Sequence, residues 1–150
     1  MEKQITVIKR NYFKLANIYS ELADYFLITP FYLKLLTIIH TSRNKCTQKY
    51  LVESFNIPKQ TINSAIQVFI DKDYVTLEPN PKDKREKLII LTELGEKVIS
   101  NTIGRIEKIE ESVLKEFTQE EIYAYISFEE KYNKIFEQKI KEELKWKRTN

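Results

Sequence analysis

Four polar side chains, Gln60, Asn63, Ser64 and Gln67, recur along the segment KQTINSAIQVFID. At about 100° per residue they share one side of a helix, and Ile62, Ala65, Ile66, Phe69 and Ile70 share the other. Amides and a hydroxyl displayed on a rigid helix can pair with base edges in a DNA major groove. Asn and Gln suit the N6 and N7 of adenine, so an A·T-rich site is expected. Lys59 and Thr61 fall in the first turn, where backbone N–H groups and a cation can hold phosphate. A solvated polar face is the plain alternative. The elements on either side of the helix favour base contact.

Leu51, Val52 and Phe55 form one apolar face of a shorter helix just upstream. Asn56 follows where a turn needs a residue tolerant of left-handed backbone. Pro58 suits the start of the next helix, because its missing N–H would have had no partner there. Downstream, 74–78 and 88–91 are β-branched and aromatic runs separated by PNPKDKREK, the pattern of a hairpin with an extended tip. Pro79 and Pro81 stiffen one side of that tip. Lys82, Lys84, Arg85 and Lys87 crowd it with positive charge. A helix, a tight turn, a second helix and a basic hairpin in this order predict a winged helix-turn-helix over 30–95.

The runs TQKYLVESFNIPKQTINSAI and DKREKLIILTELG resemble the multiple antibiotic resistance regulator (MarR) family. In that family a Thr-Gln-Lys-x-Leu helix leads into a Lys-Gln-Thr recognition helix, then an Asp-x-Arg wing and a Leu-Thr-x-x-Gly helix start. The likeness covers the middle third residue by residue and the flanks in pattern. It departs at Ser64, where many members carry Arg, so a base preference does not carry over. The resemblance implies that Asp83 orients the wing through a salt bridge and that Arg85 enters the minor groove, with Lys84 beside it. It also implies terminal helices that interlock into a dimer, and in some members a small-molecule effector. The nine tyrosines and eight phenylalanines could line an effector pocket, although aromatics at helical spacing more often fill a core.

The flanks carry their own periodicity. Ile5, Ile8, Tyr12, Leu15, Tyr19, Leu22 and Phe26 alternate at steps of three and four, a heptad seam suited to association with a second copy, or to packing within one subunit. The segment 31–41 is apolar nearly all round and should be central. Thr92 should cap one long helix holding both Gly95 and Gly104 and ending near Phe117. Thr118, Gln119, Glu120 and Glu121 then form a capping box for a last helix. The expected organisation is a single domain, 1–150: mainly α with a small β-hairpin, the winged helix-turn-helix at 30–95, and helical dimerisation regions at 1–28 and 98–150.

Composition bounds the partners. Net charge is only +3, and 43–95 holds nine Lys/Arg against seven Asp/Glu, so phosphate affinity must come from placement rather than bulk charge. Cys46 is the only cysteine and His40 the only histidine, which rules out an internal disulfide and multi-Cys or multi-His metal sites. Arg43 and Lys45 could lower the Cys46 pKa, but a small buried residue is the simpler role. The first residues lack a signal-peptide pattern and no apolar run reaches spanning length, so no membrane partner is expected and the cytoplasm is the expected location. Nothing resembles a phosphate loop or a catalytic pair, so no enzyme and no cofactor are expected. The reading is a homodimeric, sequence-specific regulator of transcription, most simply a repressor, on pseudo-palindromic double-stranded DNA. The rival is a winged-helix protein-interaction module without sequence-specific DNA binding.

Overall fold

The computed structural model describes residues 1–43, 45–55 and 57–144, with Ser54 by backbone alone. The turn expected at Asn56 lies outside the described residues. Element order is α1 (Glu2–Tyr25), α2 (Pro30–Thr41), α3 (Gln48–Phe55), α4 (Lys59–Asp71), β1 (Val75–Pro79), β2 (Lys87–Leu91), α5 (Glu93–Asn101), α6 (Ile103–Leu114) and α7 (Gln119–Leu144). Among the described residues no single helix is long and apolar enough to cross a membrane.

Helix α2 is the hub. Pro30 occupies its first turn and the Thr29 hydroxyl accepts a hydrogen bond from Tyr32 N–H, so the chain can turn sharply out of α1 and start again at once. Leu33, Leu35, Leu36, Ile38 and Ile39 are all buried, and α1, α5, α6 and β2 pack around them. Helix α4 adds Ile62, Ala65, Ile66 and Phe69 to the same core. Of the apolar face expected on α3, Leu51 is fully buried. Val52 is half-buried, and Phe55 lies at the surface, edge-on to Tyr50. An eight-residue helix at the rim of a small core has room to bury only its innermost side chain.

Helix α4 ends on Asp73 in left-handed geometry (φ 56°). Asp73 N–H donates to Ile70 O and Tyr74 N–H to Phe69 O, while the Phe69 and Tyr74 rings meet at 6.2 Å. This double bond with its apolar clasp satisfies carbonyls that a helix end would otherwise leave open. It also aims the chain into β1. The hairpin pairs Val75 with Leu91 through Pro79 with Lys87, so β1 is displaced by one residue from 74–78 and β2 begins one residue before 88–91. Pro79 is tolerated because it stands at the last pair of a two-stranded ribbon. An isolated bridge between Thr47 and Leu88, and Ile89 N–H on Cys46 O, moor β2 to the start of α3.

The long helix expected after Thr92 is two helices. Thr92 caps the first as expected, accepting from Gly95 N–H at 2.9 Å. The chain then breaks at Thr102 (φ −117°, ψ −85°), whose hydroxyl donates back to Val98 O at 2.7 Å. Such back-bonding offers the backbone an alternative to the helical ladder. The break splits the apolar stripe. Ile99, Ile103 and Ile106 enter the core, whereas Ile109, Val113 and Phe117 are half-exposed. The capping box is present: Thr118 N–H donates to Glu121 Oε2 and Glu121 N–H to Thr118 Oγ1. It opens α7, none of whose residues is buried.

The two glycines have separate standing. A Cβ at Gly95 would lie 2.0 Å from Tyr74 O, whereas the nearest atom to one at Gly104, Ile99 O, is 3.6 Å away. Gly95→Ala should therefore cost about 1–3 kcal/mol or more through displaced backbone. Gly104→Ala should be neutral or stabilising by up to about 1 kcal/mol, through helix propensity. Urea unfolding midpoints measure both, and equal losses at the two sites would refute the close-approach argument.

Candidate nucleic-acid interface

The core burial of Ile62, Ala65, Ile66 and Phe69 forces the opposite side of α4 outward, and Gln60, Asn63, Ser64 and Gln67 are all exposed there. Lys59 and Thr61 are exposed in the first turn. Pro58 is the residue just before the helix rather than its first member, and no side-chain cap closes this end. The leading N–H groups thus retain hydrogen-bonding capacity for an incoming anion.

The four polar residues are not equivalent. Gln60 and Ser64, with Thr61, line a shallow groove of about 480 Å³ against Phe31 and Tyr32 at the start of α2. Gln67 stands farther along, and its Nε2 donates to Asp71 Oδ1 at 2.8 Å. Part of its amide is therefore committed to its own helix. Sequence reasoning did not note Asp71, although a Gln–Asp pair four residues apart is a known helical partnership.

At the hairpin tip, Asp83 Oδ1 accepts from both the backbone N–H (3.0 Å) and the Nε–H (3.2 Å) of Arg85. The neighbouring guanidinium and amide hold the Asp83 carboxyl below its usual range. Asp83 and Arg85 therefore form one unit rather than two residues with independent tasks. Arg85 remains 90% exposed despite this tether, so its free edge can reach a second anion. Lys84 beside it is exposed. A contact with no linear signature joins the tip to α3: Lys49 Nζ lies 3.1 Å from Glu86 Oε1. Beneath it runs a groove of about 570 Å³ between α3, the start of α4 and the wing, with Val52 and Leu77 among its lining.

The seam residues of α1 lie largely in solvent within this single chain. Ile5, Tyr12 and Leu15 are 44%, 67% and 49% exposed, Tyr19 is 37% exposed, and Ile8 is half-buried. Tyr19 donates its hydroxyl hydrogen bond to Glu110 of α6. Burial, with the Glu110 carboxylate second, pushes that phenol up to about 12. Arg105 lies over the rings of Tyr25 and Phe26 at 5.6 and 5.5 Å, a second tie between α1 and α6. His40 Nε2 sits 3.6 Å from Glu107 Oε2, linking α2 to α6.

Cys46 is fully buried, and burial pushes its thiol up to about 12. The basic neighbours do not activate it, because desolvation of a thiolate outweighs distant, solvated cations. Phe69 is the aromatic buried in the core, with Tyr32 and Tyr74 packed against it, whereas most of the other tyrosines and phenylalanines, among them Tyr12, Tyr25, Tyr123 and Phe136, lie at the surface.

A sequence profile of the MarR family matches residues 32–86. No curated protein sequence matches the chain. Among solved structures, a transcription regulator MarR from Oenococcus oeni PSU-1 is similar with a TM-score of 0.68 at 17% identity, over 88% of this chain and 97% of that one. A DNA complex of MepR from S. aureus is similar at 0.65 and 15% identity, over 87% and 96%. Staphylococcus aureus MarR in complex with salicylate and kanamycin is similar at 0.64 and 20% identity, over 91% and 89%. These likenesses extend the fold well beyond the matched segment, over most of the chain. The segment 32–86 thus matches the MarR family profile, and the chain as a whole shares the winged helix-turn-helix fold of solved MarR regulators.

Proposed function

We propose that the protein is a homodimeric repressor that binds double-stranded DNA sequence-specifically through α4 and the wing. The observation that carries this reading is the exposed set Gln60, Asn63 and Ser64 on a helix whose other face is locked in the core, flanked by the almost wholly exposed Arg85. Such a helix presents hydrogen-bonding groups at fixed positions, which is what base discrimination requires. Lys59, Thr61 and Lys84 would hold phosphate, and Asp83 would aim Arg85. Gln67 would contribute through whatever capacity Asp71 leaves it. One structural neighbour being a DNA complex supports the class of partner. Another holding salicylate supports response to a small aromatic acid. Residues 30–95 would meet DNA, while 1–28 and 98–150 would pair two copies.

In-vitro selection from a random duplex pool tests the reading, with salt-sensitive binding to selected and random duplexes as its control. A pseudo-palindrome with half-sites about 34 Å apart is expected, matching two recognition helices on successive major-groove turns. Gln60→Ala or Asn63→Ala should relax the preference at defined bases, by about 1–3 kcal/mol for each good bidentate contact. If neither substitution changes motif or affinity, α4 does not read DNA, and the protein-interaction alternative takes its place.

The wing should behave differently. Arg85→Ala should weaken binding and flatten the salt dependence by roughly one phosphate per subunit, with the central motif intact. The loss should be larger on A·T-rich flanks, whose narrow minor groove deepens the negative potential. Affinities over a salt series decide this, and unchanged affinity and slope would reduce the wing to a solvated hairpin.

Pairing of two copies would cover the apolar seam of α1 and the unburied α7. Leu15→Glu should then raise the dimer dissociation constant by about tenfold or more, since a charge would enter an apolar interface. Sedimentation showing a stable, folded wild-type monomer at micromolar concentration would refute the homodimer.

A further inference from the structure

The hairpin is moored unevenly. Strand β2 is held by main chain, through the Thr47–Leu88 bridge and Ile89 N–H on Cys46 O, up to one pair short of the Pro79–Lys87 end. The tip closes on itself: Asn80 N–H donates to Glu86 O, Glu86 N–H to Asp83 O, and Asp83 grips Arg85. That makes 80–86 a small unit that moves together. Between this unit and α3 lies the open groove floored by Val52 and Leu77, so the tip does not rest on packed apolar surface. What crosses the gap is an ion pair, Lys49 Nζ to Glu86 Oε1 at 3.1 Å, with Glu86 the less exposed partner at 22%.

We propose that Lys49 is a positioning residue for the wing: by holding Glu86 against α3 across this groove, it fixes the tip that carries Arg85. The proposal rests on the reading of Arg85 as a DNA contact. Lys49 could instead be a phosphate ligand, since it lies on the same side as Lys59 and Arg85 around the groove. Its surroundings favour the latch. The ammonium is paired to Glu86 and also feels the carboxylates of Glu53 and Asp83, which keep it protonated. A cation compensated by several nearby acids attracts an incoming phosphate less than an uncompensated one does.

Because Glu86 is adjacent to Arg85, breaking the pair should free the guanidinium to sample orientations that miss the groove. The loss is bounded by the modest strength of a largely exposed pair. Binding to the selected duplex is measured over a salt series for wild type, Lys49→Met, Glu86→Gln, Arg85→Ala and the two doubles with Arg85→Ala. Thermal melts confirm folding, and amide hydrogen exchange is followed at Arg85 and Glu86 without DNA.

Lys49→Met and Glu86→Gln should each weaken binding by about two- to fivefold and speed exchange at the tip. They should blunt the A·T-flank preference, and neither should add a loss to Arg85→Ala. Lys49→Arg should keep wild-type behaviour, and Lys49→Glu with Glu86→Lys should restore most of it. The latch is overturned if Glu86→Gln tightens binding while Lys49→Met weakens it in both backgrounds, which marks a direct phosphate contact. It is equally overturned if Arg85→Ala weakens binding but neither latch variant changes affinity or exchange. A silent Arg85→Ala overturns the wing reading and the proposal with it.

Discussion

Burial of α2 is the constraint on which the other elements depend. A helix with Leu33, Leu35, Leu36, Ile38 and Ile39 all inside cannot face water on any broad side, and each such side chain contributes roughly 1.5–3 kcal/mol when buried. Cover must come from several directions, and α1, α5, α6 and β2 supply it. The break at Thr102 follows the same need. It lets α5 lie against β2 and α2 while α6 sets off along another line and still places Ile103 and Ile106 in the core.

Helix α4 and the wing inherit rigidity from that core by different physics. The outward face of α4 is fixed by what lies behind it, since rotating the helix would expose Ile62, Ile66 and Phe69. The wing has no such backing at its tip. Main-chain hydrogen bonds hold its β2 strand at Cys46 and Leu88, and charge holds the tip beyond through Lys49, Glu86, Asp83 and Arg85. Apolar packing is indifferent to salt, whereas exposed ion pairs are screened by it. Ionic strength should therefore disturb the geometry of the wing tip more than that of α4.

The ends of the chain present the opposite situation. Along α1, late α6 and α7, large apolar side chains remain in solvent, including Phe128 and Phe136, whose rings stack on the half-buried Tyr132. Within the chain, α1 is tied to α6 by a hydroxyl on a carboxylate and a guanidinium over two rings, interactions suited to orienting a helix rather than burying it. An apolar surface this extended is the kind that marks an association face.

Much of this protein was legible in the sequence wherever the governing interactions are local. The two faces of α4 follow from a 3.6-residue period. The Thr92 cap and the Thr118–Glu121 box follow from hydrogen bonds three residues apart, and the hairpin follows from two β-branched and aromatic runs around a proline-rich tip. Tertiary structure alone decided the rest. The stripe through Ile99, Ile103 and Ile106 keeps helical spacing across Thr102, so periodicity hides the break. Gly95 is required because Tyr74 O approaches it, and Tyr74 belongs to another element. Cys46 is a buried core thiol whose pKa is raised because the fold encloses it, whatever charges adjoin it in the chain. Lys49 meets Glu86 only once the hairpin has folded back onto α3, since the pairing of distant residues is set by chain topology and not by spacing.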